Sequence, residues 1–385
     1  MLAKKLTHVH NAMLDCVAEL PPEDLRKQYH VDLSQLGWHL GHVAYIGQYW
    51  LREVVLGDDS RTVELHDQFL PERIKKADRK SLPGIDDLTT IAASYRDIEH
   101  LWELLQSETN KSHTLLEGDY IGWFLLQHAA QHLETMHMVL QQRQINRGQT
   151  PIEQLGSDPY LSPNATVQPD CIVEGGLYPM GSASVAAYDN ECPSFEIKLD
   201  GFRIASTPVS NAQYLAFMLD GGYERPEFWS DSGWQWKQNH SLSSPQHWHG
   251  EQASWYQSSP YSANCLDPNE AVTGLGWYEA DAFARYADFR LPHETEWEAA
   301  MSTQPELCSS IGGSWEWCAN TLYPYEGFRA FPYERYSQPW FDYCHFVMRG
   351  AGPYTSEYVR RPSFRNFYTA DKRYAFSGLR LAADL

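Results

Sequence analysis

The chain has 385 residues, a formal net charge of -20, 43% hydrophobic residues and 14% aromatic ones. That length exceeds what one core comfortably fills and predicts two domains, while the apolar content excludes a disordered chain. So acidic a surface repels nucleic acid and anionic membranes, which removes both as expected partners.

Residues 1–150 read as helical. A first helix is expected around Ala3–Ala18. Apolar residues then recur at three- and four-residue spacing through Leu36–Val55, Leu88–Leu105 and Tyr120–Leu140. Pro21-Pro22 and Leu82-Pro83-Gly84 are breaks between them. Four antiparallel helices make a bundle, and bundles place metal sites between facing helices. Residues 151–170, polar and rich in turn formers, are expected to be a linker. Residues 171–385 are dense in Trp, Tyr, Gly and Pro, with short helices expected at Asn211–Leu219 and Tyr278–Asp288 and short strands and long loops elsewhere. The predicted class is therefore α+β, a four-helix bundle followed by a loop-rich domain.

No run of about 18 apolar residues is present, so no membrane-spanning helix is expected. The opening MLAKKLTHVHNAMLDCVAELPPEDL lacks the apolar stretch of a secretory signal. Seven cysteines, an odd number without a CxxC pair, fit a reduced cytoplasmic protein rather than a disulfide scaffold. Oligomeric state is not legible.

The segment His128-Ala-Ala-Gln-His132 puts two imidazoles one turn apart on one helical face, as on a zinc-protease helix but without that motif's glutamate. A third ligand has two candidates in Gly37-Trp38-His39-Leu40-Gly41-His42. His42 shares its face with Tyr45, Ile46 and Tyr49 and points inward; His39 lies about 300° round the wheel, still near that face. With 16 histidines in the chain, such a pair also arises by chance. Spacing leaves the choice between iron and zinc open.

These residues stand within LGWHLGHVAYIGQYW and LQHAAQHLETMHM. After the linker come TPVSNAQYLAFMLDGGYERPEFW, GLGWYEADAFARYADFRLPHETEWEAA, GGSWEWCANTLYPYEGFRAFPYERYSQPWFD and RPSFRNFYTADKRYAFSGLRLA. In this order, on both sides of the linker, the motifs resemble the ergothioneine sulfoxide synthase family and its sister selenoneine synthases. There a DinB-like bundle is fused to a domain like the formylglycine-generating enzyme, a C-type-lectin-like fold. The resemblance implies iron(II) held by His42, His128 and His132, with His39 left over. The formylglycine-generating enzymes need a cysteine pair near the C-terminal end of this fold. RPSFRNFYTADKRYAFSGLRLAADL holds none, so the resemblance implies a substrate domain instead.

By the same resemblance, the reaction joins a thiol sulfur to the imidazole C2 of Nα-trimethylhistidine (hercynine), with oxygen as oxidant and a sulfoxide as product. Gln131 is implied as a substrate contact. Tyr325, Tyr333 and Tyr336 are the implied proton donors, and Asn366, Phe367 and Tyr368 further substrate contacts. The family often has an acid where Tyr368 stands, which removes a carboxylate from imidazole recognition. The basic run Pro71–Lys80 reads as a solvated loop or as a clamp for the donor's carboxylate. In the second reading Arg73 and Lys76 match the family's arginine pair, although lysine cannot grip bidentately. The sulfur donor stays open between γ-glutamylcysteine and cysteine, with a selenosugar as the selenium alternative. A DinB-like thiol transferase or a non-catalytic binding protein is the alternative of a different class. Trp315-Glu316-Trp317, Glu294 and Glu296 read as fold signatures, the glutamates serving buried backbone or arginine partners.

Overall fold

A computed structural model describes residues 2–107, 113–148, 160–164, 168–251 and 254–385. The chain divides into two compact units, Met1–Asn146 and Arg147–Leu385. Of the expected linker, 151–159 and 165–167 lie outside the described residues.

In the first unit, α1 (Leu2–Asp15) buries Leu2, Leu6, Val9 and Met13, one face of a helix. It ends before the expected Ala18 because hydrogen bonds tighten to i→i−3 at Val17 and Ala18 as the chain turns toward Pro21. The short α2 (Pro22–Arg26) starts on proline, whose missing N–H costs nothing in a first turn. Next come α3 (Leu36–Gln48), continued by a π-helical stretch Tyr49–Val55, and the short α4 (His66–Phe69). The long α5 (Leu88–Ser107) and α6 (Tyr120–Asn146) complete the bundle. Helices α1 and α3 each pack on both α5 and α6.

Helix α3 is buried on every side from Leu36 to Tyr45. Its glycines make that possible. A Cβ at Gly37 would come within 2.1 Å of the Ile85 carbonyl oxygen, and one at Gly41 within 2.5 Å of the Phe69 ring. Glycine at 41 therefore lets α4 lie directly against α3, next to His42. Trp38, Tyr45, Phe69 and Ile85 form the local core there, each large ring contributing roughly 1.5–3 kcal/mol through burial.

The second unit begins with β1 (Cys171–Val173), β2 (Gly176–Met180), β3 (Phe195–Leu199) and β4 (Phe202–Ile204). Helices α7 (Asn211–Leu219) and α8 (Asp231–Asn239) follow, then β5 (Trp248–Glu251), β6 (Ser254–Ser258) and β7 (Ala263–Cys265). After α9 (Trp277–Tyr286), α10 (Glu294–Thr303) and α11 (Pro305–Cys308) come β8 (Ser314–Thr321), β9 (His345–Ala351), β10 (Asn366–Thr369), β11 (Ser377–Gly378) and β12 (Ala382–Asp384). The largest sheet has the order β10-β9-β8-β11, with β11 parallel to β8 and the other pairs antiparallel. Smaller sheets are β1-β4-β12, β5-β6-β7 and β2-β3.

Three helices here were not expected, the single turn α11 and two longer ones missed for different reasons. The short α8 is started by its cap, Ser230 accepting from the Gly233 N–H at 3.2 Å, rather than by an apolar stripe. Helix α10 is buried at seven of its ten positions, so no amphipathic period marks it. Its Trp297, Ala300 and Met301 join Phe202, Ile204, Cys318 and Val347 in the core.

The glutamates behave as expected. Glu294 takes Arg349 and Arg365 at 2.7 Å each, and Glu296 takes Arg290 and the His293 N–H at 2.7 Å. Glu316, between its two tryptophans on β8, accepts from Trp297 Nε1 at 2.6 Å and from Arg380 at 2.7 Å. The Glu294 and Glu316 pairs are buried structural ion pairs, and Glu296 holds an arginine at the surface.

Candidate metal centre

Because α3 packs on α6, His42 faces His128 and His132, which stand one turn apart on α6. One ring nitrogen from each lies within 4.8 Å of the others. His42 Nε2 and His128 Nε2 are 3.3 Å apart, the spacing of two nitrogens that share one ion through bonds of about 2.1 Å. The His128 and His132 ring centroids are 4.5 Å apart.

Hydrogen bonds assign the protons. His42 Nδ1 lies 2.7 Å from the Phe69 carbonyl oxygen. A carbonyl only accepts, so Nδ1 carries the proton and Nε2 presents its lone pair to the cluster. His132 Nδ1 lies 2.9 Å from His39 Nδ1, which leaves His132 Nε2 as its ligand atom. His128 Nδ1 has no hydrogen-bond partner among the described residues. His39, which spacing left as a rival ligand, instead braces His132 through its Nδ1.

Burial keeps these rings neutral. It pulls His42 down to about 4, against the Phe69 hydrogen bond and with help from the Arg79 charge. Burial, then repulsion from neighbouring imidazoles, holds His128 and His132 well below the usual 6.5. Three neutral nitrogen donors converge, and among the described residues no carboxylate joins them. The donor set fits iron(II) or zinc, with positions left open for exogenous ligands.

Gln131 follows His128 by three residues and so neighbours it on the surface of α6. Arg73 is exposed, with Nη1 4.0 Å from Asp67. Lys76 is exposed too, and its Nζ donates to the Asp32 carbonyl. The arginine of this basic run that turns inward is Arg79, 3% exposed. It lies over Trp38, which stacks on His42 at 4.5 Å.

In the second unit, Asn366, Phe367 and Tyr368 are consecutive on β10, paired with Met348, Val347 and Phe346 of β9. Strand alternation puts Asn366 and Tyr368 on one face and Phe367 on the other. The Phe367 ring packs on the core cluster, and the Tyr368 ring meets Tyr374 edge-on at 5.7 Å. Tyr333 and Tyr336 share the loop between β8 and β9. Tyr333 is 39% exposed, whereas Tyr336 stacks on Tyr188 at 4.2 Å. Tyr325 is buried, and its hydroxyl accepts from Arg349 Nη2 at 2.9 Å. Burial pushes that hydroxyl well above its ordinary range.

Three features of the centre escaped sequence reasoning: the Phe69 carbonyl, the His39–His132 bond and Arg79. Trp38, four residues before His42 and so beside it on α3, was the one legible clue to the stack.

Residues 5–136 match the DinB superfamily model, and residues 158–306 match the sulfatase-modifying factor enzyme 1-like domain. The hercynine oxygenase of Mycolicibacterium thermoresistibile is 29% identical, covering 100% of this chain and 95% of that protein. That of Mycolicibacterium smegmatis is 28% identical, over 96% of this chain and 95% of that protein. That of Mycobacterium tuberculosis is 31% identical over 51% of this chain and 56% of that protein. A DinB-type bundle with a three-histidine cluster, followed by a sulfatase-modifying-factor-type domain, defines a two-domain class, and the similarity to the first two relatives runs through both domains. Along nearly its whole length, then, the chain is similar to hercynine oxygenases, the likeness that its motifs led one to expect.

Among the described residues, no helix is long and apolar enough to cross a membrane.

Proposed function

We propose that this chain is an iron(II)-dependent, oxygen-using enzyme of ergothioneine biosynthesis that joins a thiol sulfur to C2 of the hercynine imidazole. The observation that carries this reading is the set of three neutral imidazole nitrogens within 4.8 Å of one another. Similarity to hercynine oxygenases along the whole chain supports it. The balance is one thiol, one imidazole C2–H and one oxygen molecule, giving one sulfoxide and one water.

His42, His128 and His132 hold the iron, and Phe69 and His39 fix the rings of His42 and His132 through their Nδ1 atoms. Bound iron supplies a centre at which oxygen and the sulfur donor meet. Gln131 is assigned to hercynine. Asn366 and Tyr368 are assigned to the same substrate, and Phe367, packed on the core, holds their strand. Aromatic faces stabilise a desolvated quaternary ammonium by roughly 2 kcal/mol. Tyr336 and Tyr333 are assigned to proton delivery at their hydroxyls. Tyr325 comes after them because its hydroxyl is engaged by Arg349. Arg73 and Lys76 are assigned to the carboxylate of the sulfur donor.

The test is anaerobic iron(II) loading of the full chain, then oxygen with hercynine and either γ-glutamylcysteine or cysteine. Oxygen uptake and the mass of the imidazole product are followed. A sulfoxide formed from hercynine is the expected result. No oxygen uptake with either thiol overturns the proposal, and faster turnover of unmethylated histidine overturns the substrate.

A further inference from the structure

Five arginines are buried among the described residues: Arg79, Arg143, Arg349, Arg365 and Arg380. Four of them meet a carboxylate, Arg143 with Asp24, Arg349 and Arg365 with Glu294, and Arg380 with Glu316. Arg79 does not. Its donors reach Ser34 Oγ and, at 3.2 and 3.3 Å, the carbonyl oxygens of Pro71 and Ile74; its Nε is buried without a partner. A buried cation held only by neutral oxygens is costly.

The charge has one aromatic neighbour. The guanidinium carbon lies 3.7 Å from the Trp38 ring centroid, and that indole stacks on His42 at 4.5 Å with an interplanar angle of 14°. Trp38 is itself fixed by its Nε1, which donates to the Gln68 carbonyl at 3.1 Å. Arg79 therefore stands one indole away from a residue assigned to the metal. Many iron sites pair two histidines with a carboxylate, which offsets part of the ion's charge. Here the third ligand is neutral, and the nearest charge brought up behind it is positive.

We propose that Arg79 is a positioning residue that makes the metal-loaded centre select small anionic ligands over neutral ones of similar size. The inference rests on the three-histidine reading. An uncompensated cation beside a divalent ion held by neutral donors attracts an incoming anion and leaves a neutral ligand unaffected. Through Trp38 the same group holds the plane of the His42 ring.

The experiment loads the full chain with cobalt(II) and titrates it with azide, or with imidazole at a pH where imidazole is neutral, following visible absorbance. Arg79→Gln is expected to weaken azide roughly tenfold while leaving imidazole within about twofold. Arg79→Lys, which restores the charge, is expected to recover most of the azide affinity. Ser34→Asp sets a carboxylate against the guanidinium without removing it, and is expected to weaken azide as Arg79→Gln does; it serves where Arg79→Gln does not fold. Equal azide affinity in wild type and whichever charge-neutralised variant folds overturns the proposal and leaves the metal reading intact. A wild-type chain that takes up no cobalt overturns the three-histidine reading and this proposal with it.

Discussion

The carboxylate networks of the second unit and the imidazole cluster of the first treat buried titratable groups in opposite ways. In the second, each buried carboxylate of the Glu294, Glu316 and Glu279 networks meets arginine, and the charges close on one another. In the first, the buried groups at the α3–α6 contact are imidazoles, neutral and with lone pairs turned toward each other. Closed networks hold a fold, because removing one member strands another. Lone pairs 3.3 Å apart have no such internal partner, and they call for something from outside. The contrast separates scaffold from site more sharply than burial does, since both sets are buried.

The contrast can be broken or sharpened by experiment. The largest effect is expected from the ligands: His42→Ala, His128→Ala or His132→Ala should each abolish iron(II) uptake in an anaerobic titration, with little change in thermal stability. Retained uptake in any of the three shows that the donor set was wrongly chosen. Glu294→Gln should do the reverse. It leaves Arg349 and Arg365 without their shared carboxylate and should cost the second unit about 3–5 kcal/mol in chemical denaturation, while iron uptake stays unchanged.

Acid should separate the units next. Burial holds His42 down to about 4, so the unfolded chain takes up a proton from about 6.5 downward and the folded one does not until about 4. Its contribution is therefore whole above 6.5 and is lost between 6.5 and 4, roughly 3 kcal/mol. Burial pushes Glu294 up, but Arg365 and Arg349 outweigh it and hold the carboxyl down to about 2. That stability is present above 4.5 and is lost only as pH falls toward 2. Six depressed imidazoles in the described part of the first unit, against three in the second, point the same way. Hydrogen exchange on the metal-free protein, resolved by peptide, should show the bundle loosening at the higher pH. Simultaneous loosening of both units counts against the comparison.

The smallest effect is expected at His39. Its loss removes the bond that orients His132 and should weaken iron(II) by about 10–100-fold without abolishing it. His39→Gln, which keeps an acceptor for the His132 Nδ1 proton, should recover part of the affinity. An unchanged affinity in His39→Ala would mean that the 2.9 Å bond does not position the ligand.

Much of this was legible in the residues themselves. The i, i+4 spacing of His128 and His132 and the apolar periods of α3, α5 and α6 are local consequences of 3.6 residues per turn, so they survive without a fold. Glu294 and Glu296 of α10 could be assigned to structure because their run reads as a fold signature, and buried carboxylates need partners. What periodicity could not reach was α10 itself, buried on nearly every side and so without a polar face.

The sequence by itself determined the helix faces, the histidine pair and the two-part plan, because each depends on neighbours within a turn or on composition. Spacing left His42 and His39 both open and the resemblance implied His42; the tertiary structure puts His42 in the cluster and His39 behind His132. That placement turns on Phe69, 27 residues after His42, and on His132, 93 residues after His39, and no local rule ties such distant positions together. The same packing turned Arg79 out of a solvated-looking basic run and against Trp38, because Gly37 and Gly41 let the loop and α4 close on α3.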